Sequence, residues 1–124
     1  MIYVWVAFAG GAGALLRFGV SRVVMTQGWL GFPYATLFVN VLGSFLIGYL
    51  AWALTQKWGL SEEAKFVVVS GFLGGFTTFS AFSLEVVGMF EQGAVLKAIA
   101  YMSLTLVLCV SVCAVGVMMA KAPS

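Results

Sequence analysis

The chain has 124 residues, of which 63% are hydrophobic and 8% charged, and its net charge is +2. A soluble domain carries about 25% charged residues, so this inventory cannot cover a water-facing surface and points to lipid. There is no His and no Asp, and four Glu supply all the acids. That excludes a Ser-His-Asp triad, a His metal site and a His general base, and the scattered charge excludes nucleic-acid binding.

In chain order, four stretches reach the ~20 apolar residues that a helix needs to cross a ~30 Å hydrocarbon core. They run over residues 2–24, 34–55, 64–90 and 94–120. The connections TQGWLGFP, QKWGLSEE and EQG are too short for a further domain. The fold class expected is therefore an all-α membrane protein, with one transmembrane domain over 1–124. Pro33 precedes the second span, and Ser61 is a candidate cap for the third, with Glu62 and Glu63 in its first turn. Tyr3, Trp5, Trp29, Tyr34 and Trp58 fall near span ends, as interface anchors do. The first span lacks the basic start of a signal peptide and is expected to be structural throughout.

Small residues recur at spacing four: Ala9 with Gly13, Gly10 with Ala14, Ser44 with Gly48, and Gly71 with Gly75. Such pairs let helices approach closely in lipid, although a chain with 15 glycines produces some by chance. Lys57, Lys65 and Lys121 fall on one membrane face and Arg17, Arg22 and Lys97 on the other. An even division gives no orientation by the positive-inside rule. Insertion both ways would permit an antiparallel homodimer; features other than charge could also fix a single orientation.

The third span holds GFLGGFTTFSAFS, residues 71–83. Adjacent glycines and hydroxyl side chains weaken a helix, so a break is expected near Gly74–Thr78. Non-helical backbone at membrane depth is tolerated where it is buried in protein or lines a wet cavity. Freed carbonyls there can hold a cation, and the following helix N-terminus favours an anion. A glycine-rich crossing point is the plainer reading of the same residues. Phe72, Phe76, Phe79 and Phe82 recur at helical spacing. Such a stripe usually packs, but ring edges are electropositive and can touch an anion. Thr77, Thr78, Ser80 and Ser83 add hydroxyls between them.

Asn40 lies deep in the second span, with Ser44 one turn on. Its amide offers two N–H donors, which suit an anion or a neighbouring helix. Tyr101, Thr105 and Cys109 form a line at spacing four on the last span. Cys109 and Cys113 share one helix face and read as small packing residues. Arg17 and Glu85 are the ionised groups expected inside the membrane, at similar depth. They are expected to pair or to share a wet vestibule, although Arg17 can also snorkel to the interface.

Over its whole length the chain resembles the Fluc (CrcB-type) fluoride channel family. The likeness rests on GGAGALLRF, TLFVNVLGSFLIG and GFLGGFTTFSAFSLE. It implies a dual-topology antiparallel homodimer in the cell inner (plasma) membrane, with its third helix broken mid-membrane and two pores that export fluoride passively. It also implies that Asn40 lines the pore, that Phe79 and Phe82 turn ring edges to fluoride, and that Tyr101 and Thr105 begin a polar track. Ser44, Ser80 and Ser83 join the expected pathway. The carbonyls of Gly74 and Thr77 are implied to hold a structural sodium ion at the dimer interface. Cys109 departs from the family pattern, where a hydroxyl is usual.

The alternative is a small dual-topology, proton-coupled multidrug exporter. Such a transporter needs a carboxylate in its first span, and this chain has none there. An enzyme would need a base or nucleophile constellation, which the sequence does not offer.

Overall fold

The computed structural model describes residues 1–26 and 31–123. Trp29, one of the expected interface anchors, lies outside the described residues. The described chain is helical, and four of its stretches are long and apolar enough to cross a membrane: Ile2–Met25, Tyr34–Lys57, Glu62–Glu91 and Val95–Lys121.

The first span is a single helix, α1 (Ile2–Thr26). The second is α2 (Tyr34–Trp52), continued by a wider π-helical turn over Ala53–Lys57. The third starts with α3 (Glu62–Phe66), where the Ser61 hydroxyl accepts from the Ala64 N–H at 3.1 Å and Glu62 and Glu63 occupy the first turn. Carboxylates there complement the positive end of the helix dipole. A π-helical stretch, Val67–Leu73, follows and then one α-turn, α4 (Gly74–Phe76).

Thr77 (φ −86°, ψ 160°) and Thr78 (φ −152°, ψ 120°) are extended, and the helix resumes as α5 (Phe79–Glu91). α5 ends in a Schellman turn built on Gly93, whose φ of 79° suits glycine. There the Gly93 N–H meets the Phe90 carbonyl at 3.0 Å and the Ala94 N–H meets that of Met89 at 2.8 Å. The chain reverses into α6 (Val95–Lys121), the fourth span.

Two close crossings organise the bundle. α1 packs along residues 67–76, and α2 along α6. At the first, a Cβ on Gly75 would fall on the Gly10 carbonyl, and one on Gly13 would fall on the Phe72 carbonyl. At the second, Gly48 lies against the Cys113 carbonyl and Gly116 against that of Phe45. Gly10, Gly13, Gly48, Gly71 and Gly75 belong to the small pairs read from sequence; Gly116 does not. Close backbone approach is what helix association in lipid rewards, since no hydrophobic force separates lipid from leucine.

Buried side chains are few, and Tyr101, Leu73 and Val39 are the largest that are fully enclosed. The outer faces carry Phe8, Leu15, Leu84, Leu96 and Leu106 in the open. In water these faces would be a liability; against acyl chains they are the correct surface.

Candidate functional site

The site is built around the two extended threonines. In an unbroken helix the Thr78 N–H would bond the Gly74 carbonyl, four residues back. It instead donates to Asn40 Oδ1 at 2.8 Å, while Asn40 Nδ2 donates to the Thr78 carbonyl at 2.9 Å. One side-chain amide thus pairs with both backbone groups of Thr78, as a neighbouring β-strand would. A primary amide carries two N–H donors, so one of Asn40's is left over from this pairing. Thr78 Oγ1 accepts from the Ala81 N–H at 3.1 Å and caps α5. Thr77 donates through both its N–H and its hydroxyl to the Leu73 carbonyl, each at 3.0 Å.

A helix end leaves its last four carbonyls without intrahelical donors. Here these belong to Gly74, Gly75, Phe76 and Thr77. Arg17 reaches in from α1, and its Nε donates to the Gly75 carbonyl at 3.2 Å. The guanidinium thereby offsets the negative end of the preceding turn.

Asn40 and Ser44 of α2, Thr77, Phe79 and Phe82 of the third span, and Thr105 of α6 surround one open groove of about 560 Å³. Gly74 and Cys109 also line it, and no lysine, arginine or carboxylate does. Thr105 Oγ1 is buried and is the buried side-chain oxygen with no hydrogen-bond partner among the described residues. The Phe79 ring is 77% exposed and lies 5.5 Å from that of Phe82.

The groove does not gather every residue read from the sequence. Tyr101 is fully buried and does not line it, although its ring lies 5.0 Å from that of Phe82. Ser80 is exposed, 3.4 Å from Thr78 Oγ1, and the Ser83 hydroxyl turns back to the Phe79 carbonyl at 3.0 Å. The four-phenylalanine stripe is resolved into two pairs: Phe72 stacks on Phe76 at 6.3 Å, and Phe79 meets Phe82. The extended residues between Phe76 and Phe79 interrupt the helical phase, so the spacing in sequence does not become one face.

The expected Arg17–Glu85 pair is not formed. Equal depth does not bring the two groups together, because α1 packs on residues 67–76 while α5 faces α6 and α2. Glu85 instead accepts from Thr36 Oγ1 at 2.7 Å and from the Tyr101 hydroxyl at 2.8 Å. The ion pair among the described residues is Lys65–Glu62, at 3.9 Å on the surface. Thr36 is the participant that the sequence reading misses. Its signal is present, since Thr36, Asn40 and Ser44 repeat at spacing four along one face.

The groove is mostly aliphatic, with Ile47, Val69, Leu73 and Leu106 in its walls, and Asn40, Ser44, Thr77, Thr78 and Thr105 place an amide and hydroxyls among them. The family model described as CrcB-like protein, Camphor Resistance (CrcB), matches residues 4–117. The chain belongs to the CrcB family. A CrcB-family relative from Methylococcus capsulatus, named Fluoride-specific ion channel FluC, is 48% identical over 118 residues; the match covers 94% of this chain and 51% of the relative. The present chain thus spans about half the length of that protein. A FluC of Hyphomonas neptunium is 45% identical over 120 residues, covering 96% of this chain and 94% of its own. One from Thermus thermophilus is 48% identical over 99 residues, covering 80% and 78%.

Proposed function

We propose that this chain forms a passive fluoride channel, working as an antiparallel homodimer in the cell inner membrane. The observation that carries the reading is the groove itself. It gathers Asn40, Ser44, Thr77, Thr105 and the Phe79–Phe82 pair beside a broken helix, without a fixed charge in its lining. Fluoride is small, strongly hydrated and a strong hydrogen-bond acceptor. A path for it must offer donors that replace water, yet hold the ion weakly enough to release it. The second Asn40 N–H, the Thr105 hydroxyl, which has no partner among the described residues, and the Phe79 and Phe82 rings, whose edges carry positive charge density, meet both demands. Fluoride that entered as the neutral acid and dissociated in a less acidic cytoplasm would leave down its own gradient.

The groove is open along one side and Phe79 projects from it, so a second copy is the natural cover. The even division of cations between the two faces supports pairing in opposite orientations. A sodium ion fits the break. Gly74 and Thr77 present carbonyls without their helical donors, and Arg17 occupies that of Gly75. Hard oxygen donors suit a small monovalent cation, and the same pair of carbonyls from an opposed copy would double the set. The ion would supply positive charge that ties the two breaks together.

The exporter alternative needs a proton-exchanging carboxylate facing a substrate cavity. Glu85 does not line this groove; it lies in a separate polar pocket of about 430 Å³, where both its oxygens accept hydrogen bonds from Thr36 and Tyr101.

The test is efflux from liposomes loaded with fluoride and followed with a fluoride electrode, with chloride as control and Phe79→Ile beside the parent protein. Rapid fluoride-selective efflux, at least tenfold slower in the variant, is the expected result. Silence from well-folded dimers would remove the channel reading.

A further inference from the structure

On the far side of the bundle from the fluoride groove, α1 and α2 diverge and leave a second groove of about 980 Å³. Leu15, Gly19 and Val23 of α1, Leu37 and Val41 of α2, and Leu108 of α6 are among its walls, and its lining is apolar except for the Tyr34 phenol at one end. Along α1 the walls run from Leu15 to Val24, a length of roughly 14 Å at 1.5 Å per residue. That is about half of a ~30 Å hydrocarbon core. The groove therefore starts at the membrane face where α2 begins and stops near the midplane. Its reach is that of an acyl chain from one leaflet.

The open end is marked by charge. Arg22 stands one turn beyond Gly19 on α1 and is exposed. Val24 and Tyr34 are shared with an adjoining, more polar pocket of about 430 Å³ that contains Ser21, Gln92 and Lys97. Neither Arg22 nor Lys97 has an ion-pair partner among the described residues. The acid in that pocket is Glu85, and both its oxygens accept from Thr36 and Tyr101. Arginine and lysine at a membrane interface extend toward lipid phosphate, and each draws anionic lipid. Apolar walls of one-leaflet length, with Lys97 in the adjoining pocket and Arg22 exposed on the same helix as Gly19, match the two parts of one amphiphile.

We infer that the α1–α2 groove is a binding site for an anionic phospholipid, with an acyl chain between Gly19 and Val41 and the phosphate at Arg22 and Lys97. The inference rests on membrane insertion and not on fluoride conduction. Gly19 gives direct access to the site. A Cβ added there meets no atom within 4 Å, so a larger side chain at this position starts in open space.

The experiment is native mass spectrometry and thermal unfolding of the full chain in detergent, titrated with phosphatidylglycerol or phosphatidylcholine of identical chains. Phosphatidylglycerol should be retained preferentially and should raise the melting temperature. Gly19→Leu should lose retention of both lipids. Arg22→Gln and Lys97→Gln, which are surface changes that leave the groove intact, should each lower the preference about fivefold. Equal retention of the two lipids by the parent protein, or unchanged retention in Gly19→Leu, would overturn the proposal. So would loss of the dimer in Gly19→Leu, which would assign the groove to a second copy of the chain.

Discussion

The third and fourth spans solve the same problem in opposite ways. Each crosses a partner at glycine contact distance: Gly75 against the Gly10 carbonyl, Gly116 against that of Phe45. α6 keeps its helix through the contact and presents only side chains to the groove, Thr105 and Cys109 among them. The third span opens at Thr77 and Thr78 and presents backbone. Close packing alone therefore does not break a helix. What distinguishes the broken span is a set of polar side chains, Asn40, Arg17 and Thr78's own hydroxyl, that take over the freed backbone groups. In hydrocarbon each unpaired group would cost several kcal/mol, so these side chains are the condition of the opening.

The most severe way to break the comparison is Asn40→Leu. It strips both partners from Thr78 and should destabilise the fold by about 2–6 kcal/mol, at 1–3 for each orphaned group. Equilibrium unfolding in detergent would measure the loss. A cost below about 1 kcal/mol would show that Thr78 finds other partners.

Next come Gly75→Val and Gly116→Val, one at each crossing. Both place a branched side chain on backbone and should cost about 1–3 kcal/mol or more. They should differ in transport, because only Gly75 adjoins the opened turn. Equal effects on fluoride efflux from the two variants would erase the functional contrast between the spans.

Thr105→Val probes the unbroken span. It removes a buried hydroxyl that has no partner among the described residues, so stability should hold steady or rise by about 1 kcal/mol. Fluoride efflux should nevertheless fall severalfold, giving opposite signs in the melting and flux assays. Ser83→Ala marks the lower end of the scale. Its hydroxyl donates to the Phe79 carbonyl of its own helix, and both stability and flux should stay within about 0.5 kcal/mol of the parent.

Much of this architecture is legible in the sequence because its causes are local. Four apolar runs of bilayer length give the four spans, and the Ser61 cap with Glu62 and Glu63 is visible as a motif. Gly74-Gly75 and Thr77-Thr78 mark where helix propensity is weakest, and the extended residues are the two threonines. The partners are another matter. Arg17 meets Gly75 across 58 residues, and Asn40 meets Thr78 across 38. Depth in the membrane could be counted along each helix, but azimuth could not. That is why Arg17 and Glu85 could be placed at one level and still face different neighbours. It is also why Tyr101, read as part of a polar track, does not line the groove and has its hydroxyl committed to Glu85. The π-helical stretches at Ala53–Lys57 and Val67–Leu73 have no residue signature that would have marked them.

The extended pair has one more effect, on evolution and not on binding. A continuous helix transmits angular error: inserting or deleting one residue rotates everything beyond it by about 100° relative to its neighbours. At Thr77 and Thr78 that transmission stops, because the second half of the span takes its bearing from Asn40 and from its own cap. The two halves of this span can consequently take different bearings, the first from its glycine contacts with α1 and the second from Thr36 and Tyr101 around Glu85.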